Sequence, residues 1–301
     1  MERKEGVSMD NVKHYILTRF NVAVSYGETS RKNGVNLQSS CIDNSWLSTR
    51  FDIFEKYMFP KMKNQINQDY TWLVLFHADT PEEYKKRIRK YSEIMCNFQP
   101  LYLTASESIN YFDEFIQQFI GAAQEDWVLT SRIDNDDMIS EDYVEKLHRA
   151  VDLLDKEECF LSFLWGLNWD KRRNMAAYMQ YPYNHFISML AAKEKHTRFV
   201  MQYTHTLVGE AGIPVYTIGK VEPHRAQWKN AVSLIDEKTR EPMWCEIVHE
   251  TNYMNEMHYW LRGVLWSTQP LDRFGIPGRV GFRYWIKYIA KAVITRVAPG
   301  N

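Results

Sequence analysis

Three carboxylates fall within four positions of this chain, Asp134, Asp136 and Asp137, in the segment WVLTSRIDNDDMISEDYVEKL. Carboxylates crowded this closely repel one another unless a cation neutralises them. Hard oxygen ligands favour Mg²⁺ or Mn²⁺. A divalent ion on one or two carboxylates, its shell completed by substrate phosphates, is the usual arrangement for nucleotide chemistry. The structural alternative is an Asp/Asn-rich turn that caps the next helix. Arg132 lies beside the acids, placed either to ion-pair with one of them or simply to balance charge. His249 ends an apolar stretch, Met243 to Val248. A neutral imidazole is a competent metal ligand, and a lone histidine also commonly satisfies a buried hydrogen bond. His205 and His224 are each readable as a base, a sugar contact or a surface residue. No GxGxxG and no GxxxxGK[ST] is present, so dinucleotide-fingerprint and P-loop readings lose support.

The elements around these residues read as follows. Trp127 to Ile133 is a buried strand that delivers the acids to its C-terminal edge, where open α/β sheets bind ligands. His14 to Phe20 is a first strand, ending beside Arg19, and a polar stretch from Asn21 to Asn44 reads as a binding loop. Trp46, Phe51, Phe54 and Met58 recur at near-helical spacing before Pro60. Thr71 to Phe76 has the continuous apolar run of a fully buried parallel strand and leads through Asp79 to a helix opened by Pro81-Glu82-Glu83. Leu101 to Thr104 is a further strand and Asn110 to Ala123 a helix. Ser140 is expected to cap the helix that follows the acids. This alternation predicts an α/β fold, a mostly parallel sheet with helices on both faces. Phe160 to Trp165 is another strand, after which the pattern loosens. No internal repeat or linker interrupts the chain, and one domain is expected.

Composition bounds the function classes. Apolar residues are 45% and charged residues 25%, near globular averages, which excludes a disordered or collagen-like chain. With 37 basic and 38 acidic residues the net charge is -1, so no bulk charge points to nucleic acid. Cys41, Cys96, Cys159 and Cys245 form no CxxC, which argues against a disulfide framework or structural zinc. No apolar core of signal-peptide length opens the chain and no run reaches about 18 apolar residues, so a cytoplasmic location is expected. Aromatic residues at 14% suit both a core and sugar stacking, and Trp165 and Trp169 are readable either way.

The strand ending in Asp-x-Asp, followed by Asp137, Ser140 and the helix DYVEKL, resembles the nucleotide-sugar signature of GT-A glycosyltransferases. The sequence is more closely similar to the putative rhamnosyl transferase family, a bacterial group related to family-2 glycosyltransferases. The pieces that carry this resemblance are HYILTRFN at 14–21, Trp46-x-x-x-Arg50-x-x-x-Phe54, TWLVLFHADTP at 71–81, SRIDNDD at 131–137 and MWCEIVHETN at 243–252. It implies a GT-A-like, Rossmann-type sandwich with a mostly parallel central sheet flanked by helices. Residues about 12–155 would form the nucleotide-sugar-binding half, about 156–280 the acceptor half, and 281–301 a basic amphipathic helix. The implied reaction is transfer of a sugar, rhamnose in the family's description, from a nucleoside-diphosphate donor to a glycan or lipid-linked glycan acceptor, dependent on Mn²⁺ or Mg²⁺ and inverting. The resemblance places Asp134 on the donor ribose or the metal, Asp136 on the metal, His249 as a further ligand, and Arg19, Asp79 and Arg132 about the donor. Here His77-Ala78 precede Asp79 in place of the usual pair of acids.

For the base that takes the acceptor proton, Glu210 in HTLVGEAG and Asp170 after LSFLWGLNW are the candidates. A related nucleotidyltransferase would need a compact Gly-rich loop after the first strand, which LTRFNVAVSYGETSRKNG lacks. A non-catalytic carbohydrate-binding protein with Ca²⁺ at the acids would need a longer run of spaced oxygens. Finally, in GFRYWIKYIAKAVITRVAPGN, Arg283, Lys287 and Lys291 follow one side of a helix, with Arg296 beyond, and Phe282, Trp285, Ile286, Ile289 and Val293 the other. Such a helix either covers the core with its apolar stripe or lies on an anionic membrane surface.

Overall fold

The computed structural model describes residues 6–22, 42–204, 207–221, 228, 230–236, 240–250 and 257–297, the side chains of 295–297 excepted. His205, His224, Cys41 and most of the polar stretch 21–44 lie outside the described residues. In chain order the elements are β1 (Val12–Arg19), α1 (Asn44–Ile53), α2 (Phe59–Lys63), β2 (Thr71–His77), α3 (Glu82–Ile94), β3 (Phe98–Leu103), α4 (Ala105–Asn110), α5 (Phe112–Gly121), β4 (Trp127–Arg132), β5 (Met138–Ile139), α6 (Tyr143–Val151), β6 (Cys159–Phe163), β7 (Trp165–Asp170), β8 (Met175–Gln180), β9 (Ser188–Ala192), β10 (Val215–Ile218), β11 (Ala231–Ile235), β12 (Trp244–Val248), α7 (Gln269–Asp272) and α8 (Phe282–Val297).

Eight strands form one sheet in the order β11-β10-β6-β9-β4-β1-β2-β3. All its neighbours pair in parallel except β9, which runs antiparallel to both β4 and β6. The central strands are apolar on both faces, as Ile16, Leu17, Leu73, Val74, Val128 and Leu129 are all fully buried. On one face α1, α3 and α6 supply Phe51, Ile88 and Leu147 to the core, and on the other α5 supplies Ile116 and Ile120. Pro100 is tolerated in β3 because that strand is the sheet's edge, where a missing N–H costs least. The expected mostly parallel α/β sandwich is therefore the observed one. The sheet also draws β6, β9, β10 and β11 from beyond residue 155, so both expected halves of the chain share it.

A second sheet, in the order β5-β12-β7-β8, stands beside the first. The expected strand from Phe160 to Trp165 is two strands divided at Leu164, one in each sheet. Side chains alternate across β7 and β12: Leu167, Trp169, Cys245 and Ile247 pack under α8, while Asn168 and Glu246 bond to each other on the opposite face. Trp165 and Trp169 are both buried in core clusters, which corrects the sugar-stacking alternative.

A polar chain crosses the core between β1 and α6. His14 Nδ1 lies 2.9 Å from His148 Nε2, and His14 Nε2 lies 2.8 Å from Ser131 Oγ, which itself lies 2.7 Å from Ser188 Oγ. Burial lowers the pKa of His14 well below its ordinary 6.5, and the neighbouring His148 lowers it further. Burial also lowers His148, against the pull of Asp69 and Asp152. Both rings are thus held neutral in the fold and charge near their ordinary pKa once unfolded. Their contribution to stability is complete above the unfolded value and is lost as pH falls below it. Each such proton costs up to about 1.4 kcal/mol per pH unit in that window. We expect the urea midpoint to drop between about pH 7.5 and about pH 5.5, and to drop less in His14→Gln. The same acid loss in wild type and His14→Gln would show that other groups govern it.

Candidate active site at the edge of the central sheet

The acids emerge where β4 ends, and the two sheets meet there. Ile133 N donates to Leu17 O at 3.2 Å, and Asp137 N donates to Asp134 O at 3.3 Å, closing a turn. Asn135 Nδ2 donates to the carbonyls of Arg19 and Phe20 at 3.0 and 2.6 Å, tying that turn to the end of β1. Directly after Asp137, β5 pairs antiparallel with β12, and Ile247 N donates to Asp137 Oδ1 at 2.9 Å. The turn is therefore a corner between the sheets, and it brings β12 with Glu246 and His249 to acids more than a hundred positions earlier in the chain. Ser140, the expected helix cap, ends this corner instead: its N–H donates to Met243 O. Helix α6 starts at Tyr143 behind Asp142, with no side-chain cap.

His185 arrives by a different route. Because β9 runs antiparallel to β4, with Ser188 opposite Ser131, the residues just before β9 lie where β4 ends. His185 Nε2 lies 3.1 Å from Asp137 Oδ2. One ligand atom from each of Asp134, Asp137 and His185 lies within 4.8 Å of the others. Two carboxylates and an imidazole are a donor set compatible with Mn²⁺ or Mg²⁺, so the residues present fit the implied cation.

Asp136 points elsewhere. It is ion-paired to Arg50 of α1, and His249 Nε2 lies 2.9 Å from its Oδ2. Arg50 also donates to Asn135 Oδ1 at 3.1 Å, and its guanidinium lies 5.1 Å from the centre of the Trp46 ring. Arg50, Asp136 and His249 are all buried. The acids consequently divide into two groups, Asp136 ion-paired to Arg50 beside His249 and Asp134 with Asp137 facing His185.

The electrostatics follow from this geometry. For Asp134 burial opposes ionisation, but the charges of Arg132, His185 and Arg19 outweigh it and hold the carboxyl below its usual range. For Asp136 burial is likewise outweighed, by Arg50 and His249, and its pKa is lowered. Burial raises Asp137, with the nearby charge of Asp136 adding to it and His185 opposing. Burial would lower His185, but its hydrogen bond to Asp137 and the charges of Asp137, Glu246 and Asp134 prevail and raise it.

The other expected donor residues lie along the same edge. Arg132 Nη2 lies 3.5 Å from Asp134 Oδ2, and its buried Nε has no partner among the described residues. Arg19 is half-buried at the end of β1. Asp79 follows β2 with its side chain exposed, 3.8 Å from His77 Nδ1. Asn21 joins this loop to β1, accepting from His77 N and donating to Thr80 Oγ1, both at 3.1 Å.

Neither expected base stands free at the cluster. Asp170 has no exposed surface; it accepts from Arg173 N and Arg173 Nη1 at 3.0 and 2.9 Å and lies 3.5 Å from Arg172 Nε. Glu210 is exposed in a turn that precedes β10. Since β10 runs parallel to β4, that turn leads into the opposite edge of the sheet, away from the acids. The sequence placed Asp137 in the carboxylate cluster without a role of its own, and gave none to His185, Arg50 or Glu246. Of these, Arg50 had a signal in the Trp46-x-x-x-Arg50-x-x-x-Phe54 spacing, and His185 had none.

No curated protein matches this chain. Among solved structures, the crystal structure of S. aureus TarS 1-349 is 12% identical, over 53% of this chain and 35% of that chain, with a TM-score of 0.28. TarS 1-349 in complex with UDP-GlcNAc is 13% identical, over 53% and 34%, also at 0.28. The matched part spans about a third of those chains, and the UDP-GlcNAc is bound to TarS. The family profile described as "Putative rhamnosyl transferase" matches residues 13–233. That range takes in β1, α1 with Arg50, the acids and His185, and it stops before β12 with Glu246 and His249. With most of its length matched, this chain belongs to the putative rhamnosyl transferase family.

Proposed function

We propose that this chain is a glycosyltransferase that takes its sugar from a nucleoside-diphosphate donor bound across the C-terminal edge of the central sheet, with Mn²⁺ or Mg²⁺ on Asp134, Asp137 and His185. The observation that carries this reading is the convergence of those three side chains within 4.8 Å at the corner between the sheets. When bound, the cation supplies positive charge where the leaving diphosphate gains negative charge. Arg132 and Arg19, beside Asp134, add fixed charge of the same sign. Asp79, exposed at the end of β2, is assigned to the donor's ribose or base. Asp136 and His249, first read as metal ligands, are assigned to holding the turn through Arg50. Rhamnose as the transferred sugar follows the family's description, and a glycan or lipid-linked glycan is the proposed acceptor.

For an inverting displacement, a base on the far side of the sugar takes the acceptor hydroxyl proton. We assign it to Glu246 in place of Glu210 and Asp170. Glu246 retains 8% exposure, and its Oε2 accepts from Asn168 Nδ2 at 2.8 Å, which orients it. Glu246→Gln keeps that hydrogen bond and removes the base. It is expected to lower kcat by about 10²–10⁴ while the stabilisation by donor is unchanged. Wild-type turnover in a folded Glu246→Gln protein would remove Glu246 from this role.

The reading as a whole is tested by thermal shift with UDP, dTDP and GDP, each with and without Mn²⁺. A nucleotide present at a hundred times its Kd adds about 2.7 kcal/mol to the folded state. Stabilisation by one nucleotide, dependent on Mn²⁺, is the expected result. Stabilisation by Ca²⁺ with a free sugar and by no nucleotide would favour a carbohydrate-binding protein instead.

A further inference from the structure

The C-terminal helix α8 turns its tyrosines to the protein. Its buried residues are Tyr284, Tyr288 and Ala292, at intervals of four, with Trp285 and Lys291 partly covered. Tyr284 Oη donates to Ala176 O at 2.7 Å, Trp285 Nε1 donates to Leu265 O at 2.9 Å, and Tyr288 Oη donates to Trp260 O at 3.1 Å. Aromatic side chains with polar tips therefore clamp the helix to β8 of the second sheet and to the segment 260–265 that precedes α7. Phe282, Ile286, Ile289 and Val293, which share another face at i, i+4, i+7 and i+11, are all exposed, Phe282 at 73%. Trp266, 69% exposed, extends this stripe, its ring 5.6 Å from that of Trp285. Of the apolar stripe that could either cover the core or face outward, Trp285 is partly covered and the other four residues form the outer surface.

Cationic side chains flank it. Arg279, Arg283 and Lys287 are exposed beside the stripe, and residues 273–301 contain no acidic side chain. Soluble surfaces mix charges of both signs around isolated apolar residues. A contiguous apolar stripe with tryptophan at its side and an all-basic flank matches a helix lying in the headgroup region of a bilayer. Among the described residues no helix is long and apolar enough to cross a membrane, so the contact is with the surface. We propose that this face of α8 with Trp266 docks on an anionic lipid surface, Phe282, Ile286, Ile289 and Val293 entering the headgroup layer and Arg279, Arg283 and Lys287 meeting lipid phosphates. The helix covers the face of the second sheet opposite Glu246 and Asn168, so the proposal stands apart from the assignments at the acids.

Deleting α8 is a poor test, because Tyr284, Tyr288 and Ala292 seal a core cluster. Two surface pairs are better: Phe282→Ser with Ile286→Ser, and Arg283→Gln with Lys287→Gln. Exposed changes of this kind leave stability within about 0.5 kcal/mol, which thermal unfolding checks. The measurement is flotation with vesicles of phosphatidylcholine alone or with phosphatidylglycerol. Wild type is expected to float with the anionic vesicles and to release as salt rises past about 0.1 M, where screening shortens to about 10 Å. Each basic side chain near such a surface tightens association about fivefold, so the charge pair is expected to weaken it about 25-fold. The serine pair is expected to remove what remains in high salt. Failure of wild type to float, or equal flotation by wild type and both variants, overturns the proposal. So does a dimer that the serine pair dissolves in the absence of any vesicle binding, which would assign the stripe to self-association.

Discussion

Arg50→Ala is expected to destabilise the protein by about 3 kcal/mol, the lower end of what removing one partner of a buried ion pair costs. Arg50 and Asp136 have side-chain exposures of 10% and 9%, so water cannot replace the lost guanidinium. The cost stays at the lower end because His249 still contacts Asp136. Unfolding curves should show the loss as a fall in Tm of about 10 °C, given roughly 2–4 °C per kcal/mol in chains near this size. Adding Asp136→Asn to Arg50→Ala is expected to restore part of the loss, since the amide removes the uncompensated charge. That non-additivity is the signature of a direct pair. If Arg50→Ala costs less than about 1 kcal/mol, in the range of an exposed pair, the corner between the sheets is held by something else.

Asp134→Asn is expected to cut transfer by about 10³ while Tm without ligand stays near that of wild type. Asp134 is a third exposed at its side chain, and among the described residues its one ion pair is the 3.5 Å contact with Arg132, so little of the fold rests on it. In the proposed site its charge is spent on the donor complex, where loss of cation-held charge costs several kcal/mol of barrier and each 1.36 kcal/mol is tenfold in rate. The Mn²⁺-dependent stabilisation by nucleotide should vanish with it. Full Mn²⁺-dependent stabilisation in Asp134→Asn would sink the assignment to the donor complex, whatever the rate. Asp137→Asn makes a useful contrast. Asp137 accepts from Ile247 N as well as facing His185, so its replacement should lower both stability and transfer.

The strands of the central sheet were legible because their apolar runs are continuous and local. Thr71 to Phe76 and Trp127 to Ile133 each read as buried strands, and both are interior strands of the sheet, paired on two sides. Pattern alone went astray where two elements share one apolar run. LSFLW crosses from β6 into β7, and no change of period marks the step at Leu164. Ser140 has the residue type of a cap, but its N–H is taken by Met243 O in the sheet corner, and tertiary pairing prevailed over local preference.

By itself the sequence determined the class of fold and the presence of Asp134, Asp136 and Asp137 at the C-terminal edge of its sheet. Those follow from short-range patterns: hydrophobic periodicity, and acids placed directly after a strand. Only the tertiary structure decided how the three acids divide. Consecutive residues in a tight turn point in different directions, so Asp136 meets Arg50 from α1 and His249 from beyond β12, while Asp137 meets His185 from before β9. Those partners lie between 48 and 113 positions away along the chain, and only strand order and direction bring them together. The same holds for α8. Its sequence shows an apolar stripe and a basic one, but which side the protein covers depended on the cavity that Tyr284 and Tyr288 fill and on the carbonyls of Ala176 and Trp260 that their hydroxyls reach. Periodicity reports that a helix has faces; the packing surface it meets selects the one that is buried.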